Sequence, residues 1–256
     1  MSRRLRLVTR LALAGVALAA VYVVVAFVVD WPDWAEPVAR YIVTEGLPAT
    51  LWVSAVAVVG SCLLGITLGT LLTIHFRPSR VLIRGYVEVF RGLPILVTVF
   101  IVYLGIPALS PTLEFSALPA TAIALTLWGS AQVAEATRGA VQSIPREQHE
   151  AASALGFGWV GSHSFVIVPQ ALRRLLPPLV GLLVNIIQNS TLAQAIGGIE
   201  LLTTSKSQVE RLTFFPPAGL GEIHAVEIFG AVMILFFLIS FPLTRLGAYL
   251  ERRLVV

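Results

Sequence analysis

The sequence predicts an all-α integral membrane protein with about six transmembrane helices and a short helix in one of its polar connections. Three observations lead there. Of the 256 residues, 57% are hydrophobic and only 12% charged, against about a quarter charged in soluble domains. The apolar residues gather into nearly uncharged runs of about 20, long enough for a helix rising about 1.5 Å per residue to cross about 30 Å of hydrocarbon. The basic residues gather in alternate connections, the asymmetry that orients helices in a membrane.

The first run, Leu11 to Val29, follows Arg3, Arg4, Arg6 and Arg10. It is longer than the apolar core of a secretory leader and no small-x-small cleavage site closes it. It therefore reads as a retained span, with Trp31 and Trp34 at the far interface. Further spans are predicted at about 49–74, about 95–109, about 118–136, about 176–197 and about 225–244. The one at 95–109 is short. Arg84, Glu88 and Arg91 before it stand at helical spacing, which predicts that its helix continues into the headgroup layer. Cys62 lies inside an apolar run and has no second cysteine to pair with, so an intrachain disulfide or cysteine-based zinc site is excluded.

Six spans put both termini on one side, and the arginines choose which. The N-terminus, the 75–92 connection, the 138–174 connection and the C-terminus together hold fifteen of the eighteen basic residues. Only Arg40, Lys206 and Arg211 fall elsewhere, so both termini are expected in the cytosol. The opposite connections carry Asp30, Asp33, Glu36, Glu45, Glu114, Glu200, Glu210 and Glu222, which read as a solvated acidic face.

Several chemistries are excluded. The single lysine, Lys206, sits in "LTTSKSQ", which lacks the glycines of a phosphate-cradling loop. His149-Glu150 opens like a zinc-protease helix, but the position four after His149 is Ser153 rather than a second histidine. His75, His163 and His224 are scattered among three connections, and Ser162 lacks the glycine two residues on that a nucleophile elbow requires. No catalytic group and no metal ligand set is assigned, and the basic excess is explained by topology rather than by nucleic acid.

The 138–174 connection is the polar exception in this apolar chain. Pro145 suits the first turn of a helix, and Glu147 and Glu150 favour its positive N-terminal end. The helix is expected to run to about Leu155 and stop at Gly156. Ala151, Ala152 and Ala154 allow close approach by another surface, while Leu155, Phe157 and Trp159 offer apolar anchors, so the helix reads as a peg for a groove in a partner.

Glu150, Ala151 and Ala152, then Gly156 after three residues, then Val166, Val168 and Pro169 closing the next thirteen, follow the cytosolic signature of membrane subunits of ATP-binding-cassette (ABC) importers. Val166 and Val168 replace the usual isoleucine and leucine. The chain resembles that family, of type I architecture. Within it, "YVEVFRGLPILVTVFIVYLG", "SIPREQHEAASALG" and "VPQALRRLLPPL" resemble the polar amino-acid uptake group for histidine, glutamine, arginine and opines, over roughly residues 46–202. The group's Lys-Asp-Thr-Ser-Leu segment is here "QNSTL", Gln188 to Leu192, so its two charges are replaced by amides.

The resemblance implies a multi-pass permease subunit in a bacterial plasma (inner) membrane, binding no cofactor itself. ATP and Mg would be held by cytosolic ABC ATPase subunits. Glu150, Ala151, Ala152, Leu155, Gly156 and Pro169 would couple to those subunits. The other implied partners are a second permease copy or paralogue, an extracytoplasmic solute-binding protein and membrane lipid. Residues 1–48 then hold the N-terminal helix and outer loop, 49–245 the transmembrane domain, and 246–256 a cytosolic tail.

The run from 179 to 198 is the most polar of the spans. Asn185, Gln188, Asn189 and Thr191 gather near one side of it, where they either line the path of a polar amino acid or fasten helices to one another. An ion-coupled secondary transporter or channel is the rival reading. Such proteins place ionisable groups at mid-membrane, and here those regions hold almost none.

Overall fold

A computed structural model describes residues 33–73, 77–110, 112–215 and 224–254. The first predicted span, at 11–29, lies outside the described residues. The rest is helical: α1 (Ala35–Leu71), α2 (Arg77–Gly92), α3 (Ile95–Leu109), α4 (Ala117–Gln142), α5 (Arg146–Ala154), α6 (Ser162–Ile196), α7 (Leu201–Phe214) and α8 (Ala225–Leu254). Among the described residues α1, α4, α6 and α8 are each long and apolar enough to cross a membrane, and α2 with α3 forms a fifth, broken candidate.

Two units divide the chain. The described part of the first comprises residues up to Ala49 and Ile199–Ile239. Its core brings Val38 and Ile42 of α1 against Leu201 and Leu212 of α7 and Ile228 and Val232 of α8. Glu200 opens α7. It is fully buried, and its carboxylate accepts from the Leu202 and Thr203 amides at 2.9 and 2.8 Å and from the Thr203 hydroxyl at 3.0 Å. The expectation of a solvated Glu200 is corrected here, because the first-turn amides of α7 have no intrahelical acceptors and a carboxylate satisfies two of them.

The second unit holds Thr50–Gly198 with Ser240–Val256, and α4 is its hub. Alanine, glycine, serine and threonine fill most of that helix's buried positions, so four neighbours can come close. Leu125 packs with Val53 and Ala57 of α1. Ala134 packs with Val87 of α2, Ala120 and Ala124 with Val99 and Val102 of α3, and Val133 and Val141 with Ile167, Ala171 and Leu175 of α6. The α1 seam is close: a Cβ on Gly65 would stand 2.5 Å from the Val133 Cβ and 2.7 Å from the Ser130 carbonyl oxygen.

Three differences from the sequence reading matter for the site. The helix at 84–91 does not continue the following span; α2 and α3 meet at 109°. Leu93 precedes a proline and Pro94 is extended (φ −58°, ψ 130°), a conformation that ends one helix and starts another. Within the stretch read as the 138–174 connection only residues 143–145 and 155–158 are non-helical, since α4 continues to Gln142 and a helical turn resumes at Trp159 and runs into α6. The last helix also runs on to Leu254, carrying residues 246–254 as helix.

Among the described residues three stretches are π-helical: Ile42–Gly46, Ile101–Gly105 and Ser162–Ile167. Each is followed two residues later by a proline, Pro48, Pro107 and Pro169. Proline has no N–H for the carbonyl four residues before it and its ring collides with that carbonyl. The widened turn moves the carbonyl aside, so each helix passes its proline without breaking.

Candidate functional site

Helix α5 is bounded as its residues dictate. Pro145 stands just before the first turn (φ −58°, ψ 147°) and Glu147 occupies it. At the other end Gly156 has φ +81°. Its amide donates to the Ser153 carbonyl at 3.0 Å, and the Phe157 amide donates to the Ala152 carbonyl at 3.1 Å. These paired bonds form the Schellman closure, which a left-handed glycine permits.

The helix is braced from α6. Gln170 donates to the Gln148 side-chain oxygen at 3.1 Å, and the Arg174 guanidinium donates to the Ser143 carbonyl and hydroxyl oxygens. Ala152 is buried against the chain itself, whereas Glu150, Ala151, Ala154 and Leu155 are exposed, Leu155 to 78%. Glu150 with Ala154, and Ala151 with Leu155, are four residues apart, so the four make one outward face. Of Ala151, Ala152, Ala154 and Leu155, Ala152 therefore seats the helix and the other three face outward. Phe157 packs against Phe165, ring centroids 6.2 Å apart, and Pro169 lies exposed in the first turn after the π segment.

Helix α2 packs on α4 between Leu127 and Glu135. Tyr86 shares a 2.7 Å hydrogen bond with Ser130 and donates to the Leu127 carbonyl at 3.0 Å. Glu135 accepts from Arg138 one turn on and lies 3.9 Å from Arg91, while Glu88 pairs with Arg84 at 2.8 Å. Only the charges of this arrangement were legible in the sequence; the α2–α4 contact depends on the bend at Pro94.

The four polar residues of α6 separate into two pairs. Asn185 and Gln188 are exposed and line a cleft of about 750 Å³ with Pro177, Gly181, Gly247 and Glu251. Asn189 instead donates to the Asn185 carbonyl at 2.8 Å, and Thr191 to the Gln188 carbonyl at 2.9 Å. The former pair opens onto the cleft, while Asn189 and Thr191 each give one donor to a carbonyl of their own helix. Among the described residues no group of three or more histidine, cysteine or acidic side chains could hold a metal ion.

A sequence model of the family described as "binding-protein-dependent transport system inner membrane component" matches residues 61–256. The chain is 31% identical over 212 residues to the glutamine transport system permease protein GlnP of Escherichia coli (strain K12), spanning 83% of this chain and 92% of that protein. It is 29% identical over 210 residues to the probable glutamine ABC transporter permease protein GlnM of Bacillus subtilis (strain 168), spanning 82% and 92%. Among solved structures, a chain from the crystal structure of an amino acid ABC transporter with histidines superposes with a TM-score of 0.72 at 27% identity, over 87% of this chain and 99% of that one. One from inward-facing conformations of the MetNI methionine ABC transporter, at 19% identity, has a TM-score of 0.66 over 86% and 98%. This second match concerns the fold alone.

Proposed function

We propose a solute class and a route of energy coupling for a chain that belongs to the family of binding-protein-dependent transport system inner membrane components. The chain is a multi-pass inner-membrane permease subunit of an ABC importer, not an enzyme, and in such systems the ATPase is a separate partner. ATPase subunits and a solute-binding protein are the partners that family membership implies in general.

The solute is a polar amino acid or a related small zwitterion. The names of GlnP and GlnM support that class, and so do the free amides of Asn185 and Gln188 on the α6 cleft, which can donate to a carboxylate and accept from an ammonium group. Energy enters at α5. The observation that carries this reading is the outward face of Glu150, Ala151, Ala154 and Leu155 on a helix whose end Gly156 fixes and whose underside is tied to α6. A groove on the ATPase that receives this face would transmit its movement through Gln148 and Gln170 into the helix that carries the amides. ATP binding then favours one of two permease conformations through its differential contacts with them. ATP and Mg stay on the ATPase, and this chain binds no cofactor. A second permease copy or a paralogue completes the path, and both termini face the cytosol.

The test is uptake by the assembled transporter in proteoliposomes. Gly156→Asp and Glu150→Arg are expected to lower ATP-dependent uptake at least about tenfold and to reduce recovery of the ATPase subunit with the permease. Normal uptake by both variants would remove α5 as the entry point.

A further inference from the structure

Between α2, the ends of α1 and α4, and α5 lies a cavity of about 720 Å³ whose described lining shares only Glu150 with the coupling face and no residue with the α6 cleft. Four arginines line it, Arg80, Arg84, Arg138 and Arg146, with His149 and His163 beside them. The two imidazoles lie edge to face, centroids 5.9 Å apart. Among the described residues Glu150 is the one acidic side chain of the lining. Arg84 and Arg138 each also contact a carboxylate outside the cavity, Glu88 and Glu135. Arg146 has no ion-pair partner among the described residues. Among the described lining residues four guanidiniums thus stand beside one carboxylate, and they offer forks that suit phosphate oxygens.

A second observation says where such an anion would come from. Helix α2 carries Val81, Leu82 and Val89, exposed to 71, 76 and 53%, while Arg80 and Arg84 of the same helix line the cavity. It stands at 109° to α3. If α3 runs through the bilayer, α2 lies along its surface, with apolar side chains toward the acyl layer and arginines at headgroup depth. A basic pocket between helices at that depth suits an anionic phospholipid.

We propose that this cavity is a binding site for a phosphate-bearing anion, the headgroup of an anionic phospholipid or free phosphate. Bound there, the phosphate joins Arg80 and Arg84 of α2 to Arg138 of α4 and Arg146 of α5. It steadies the coupling helix from that side while Ala151, Ala154 and Leu155, which do not line the cavity, stay open outward. The proposal goes beyond the solute and coupling reading, and it holds whichever way the chain is oriented, because its test exposes both faces of the membrane.

The full transporter complex is placed in nanodiscs of phosphatidylcholine containing increasing phosphatidylglycerol. Bound lipid is then counted by native mass spectrometry after release into detergent. The wild type is expected to retain phosphatidylglycerol over phosphatidylcholine. The triple variant Arg80→Gln, Arg84→Gln, Arg146→Gln is expected to bind it at least about tenfold more weakly, as loss of charges worth about 1 kcal/mol each implies. Arg252→Gln, outside the cavity, should retain it. In a parallel arm, inorganic phosphate is added to delipidated complex. A rise in thermal stability that the triple variant lacks identifies free phosphate as a sufficient ligand; no rise, with lipid retention intact, identifies the lipid. Equal lipid retention by wild type and triple variant, with no phosphate effect on either, overturns the proposal. Weaker ATPase assembly in the triple variant without any change in lipid or phosphate binding overturns it as well, and makes the cavity an acceptor of an acidic side chain from the ATPase.

Discussion

At Gly156 the backbone has φ +81°, and no atom lies within 4 Å of where a Cβ would stand. A side chain there meets backbone strain of roughly 1–2 kcal/mol rather than a clash, so any substitution loosens the end of α5 before it disturbs packing. Glu200 has the opposite character, a fully buried carboxylate that three donors surround. Glu200→Ala removes an N-cap and leaves amides without acceptors, at a cost of about 1–2 kcal/mol. Its thermal unfolding midpoint in detergent is expected to fall by a few degrees, with Glu200→Gln between it and the wild type. On α6, Asn185→Leu and Gln188→Leu are expected to raise the KM for uptake roughly tenfold, the loss of one hydrogen bond to a charged group, while Asn189→Leu has a smaller effect because its amide serves the Asn185 carbonyl. Equal effects of all three on uptake kinetics would contradict that division. Sequence spacing grouped these side chains but could not separate them, since Asn189 is folded back on a carbonyl of its own helix and spacing does not show side-chain rotamers.

Elements were legible where a local residue fixes the backbone. Pro145 and Gly156 marked α5 to within a residue, because one suits a helix start and the other takes a left-handed end. Prolines also locate the π turns, each two residues after its turn, although periodicity alone does not reveal the extra residue. Inserting one residue in a turn rotates what precedes it by about 100°. Pro169→Ala therefore lets Ser162–Ile167 relax to the α register and re-aims the chain between α5 and α6. Uptake is expected to fall several-fold with permease abundance unchanged, and wild-type rates would show that the π turn does not set the aim of α5. The bend between α2 and α3 was hidden for a related reason. Arg84, Glu88 and Arg91 have helical spacing whichever way the helix points, and the break at Leu93 and the extended Pro94 turns it.

For the molecule as a whole, the arginine distribution predicts an orientation that can be measured. In a Cys62→Ser background, Glu147→Cys in the α5 connection is expected to react with a membrane-impermeant maleimide only in inverted vesicles, and Glu114→Cys, between α3 and α4, only in right-side-out ones. Both are exposed positions, so the reverse pattern would overturn the cytosolic assignment of α5. The sequence by itself determined the helical membrane class, the family and the place of the motif on a bounded helix, because hydrophobic run length, turn residues and fixed motif spacing are properties of neighbours along the chain. The tertiary structure alone decided that α4 is the hub, that α2 packs on it, that Asn185 and Gln188 face a cleft, and that arginines from three helices line one cavity. Each of these joins residues far apart in sequence through close packing and side-chain direction, and neither is encoded in the local order of residues.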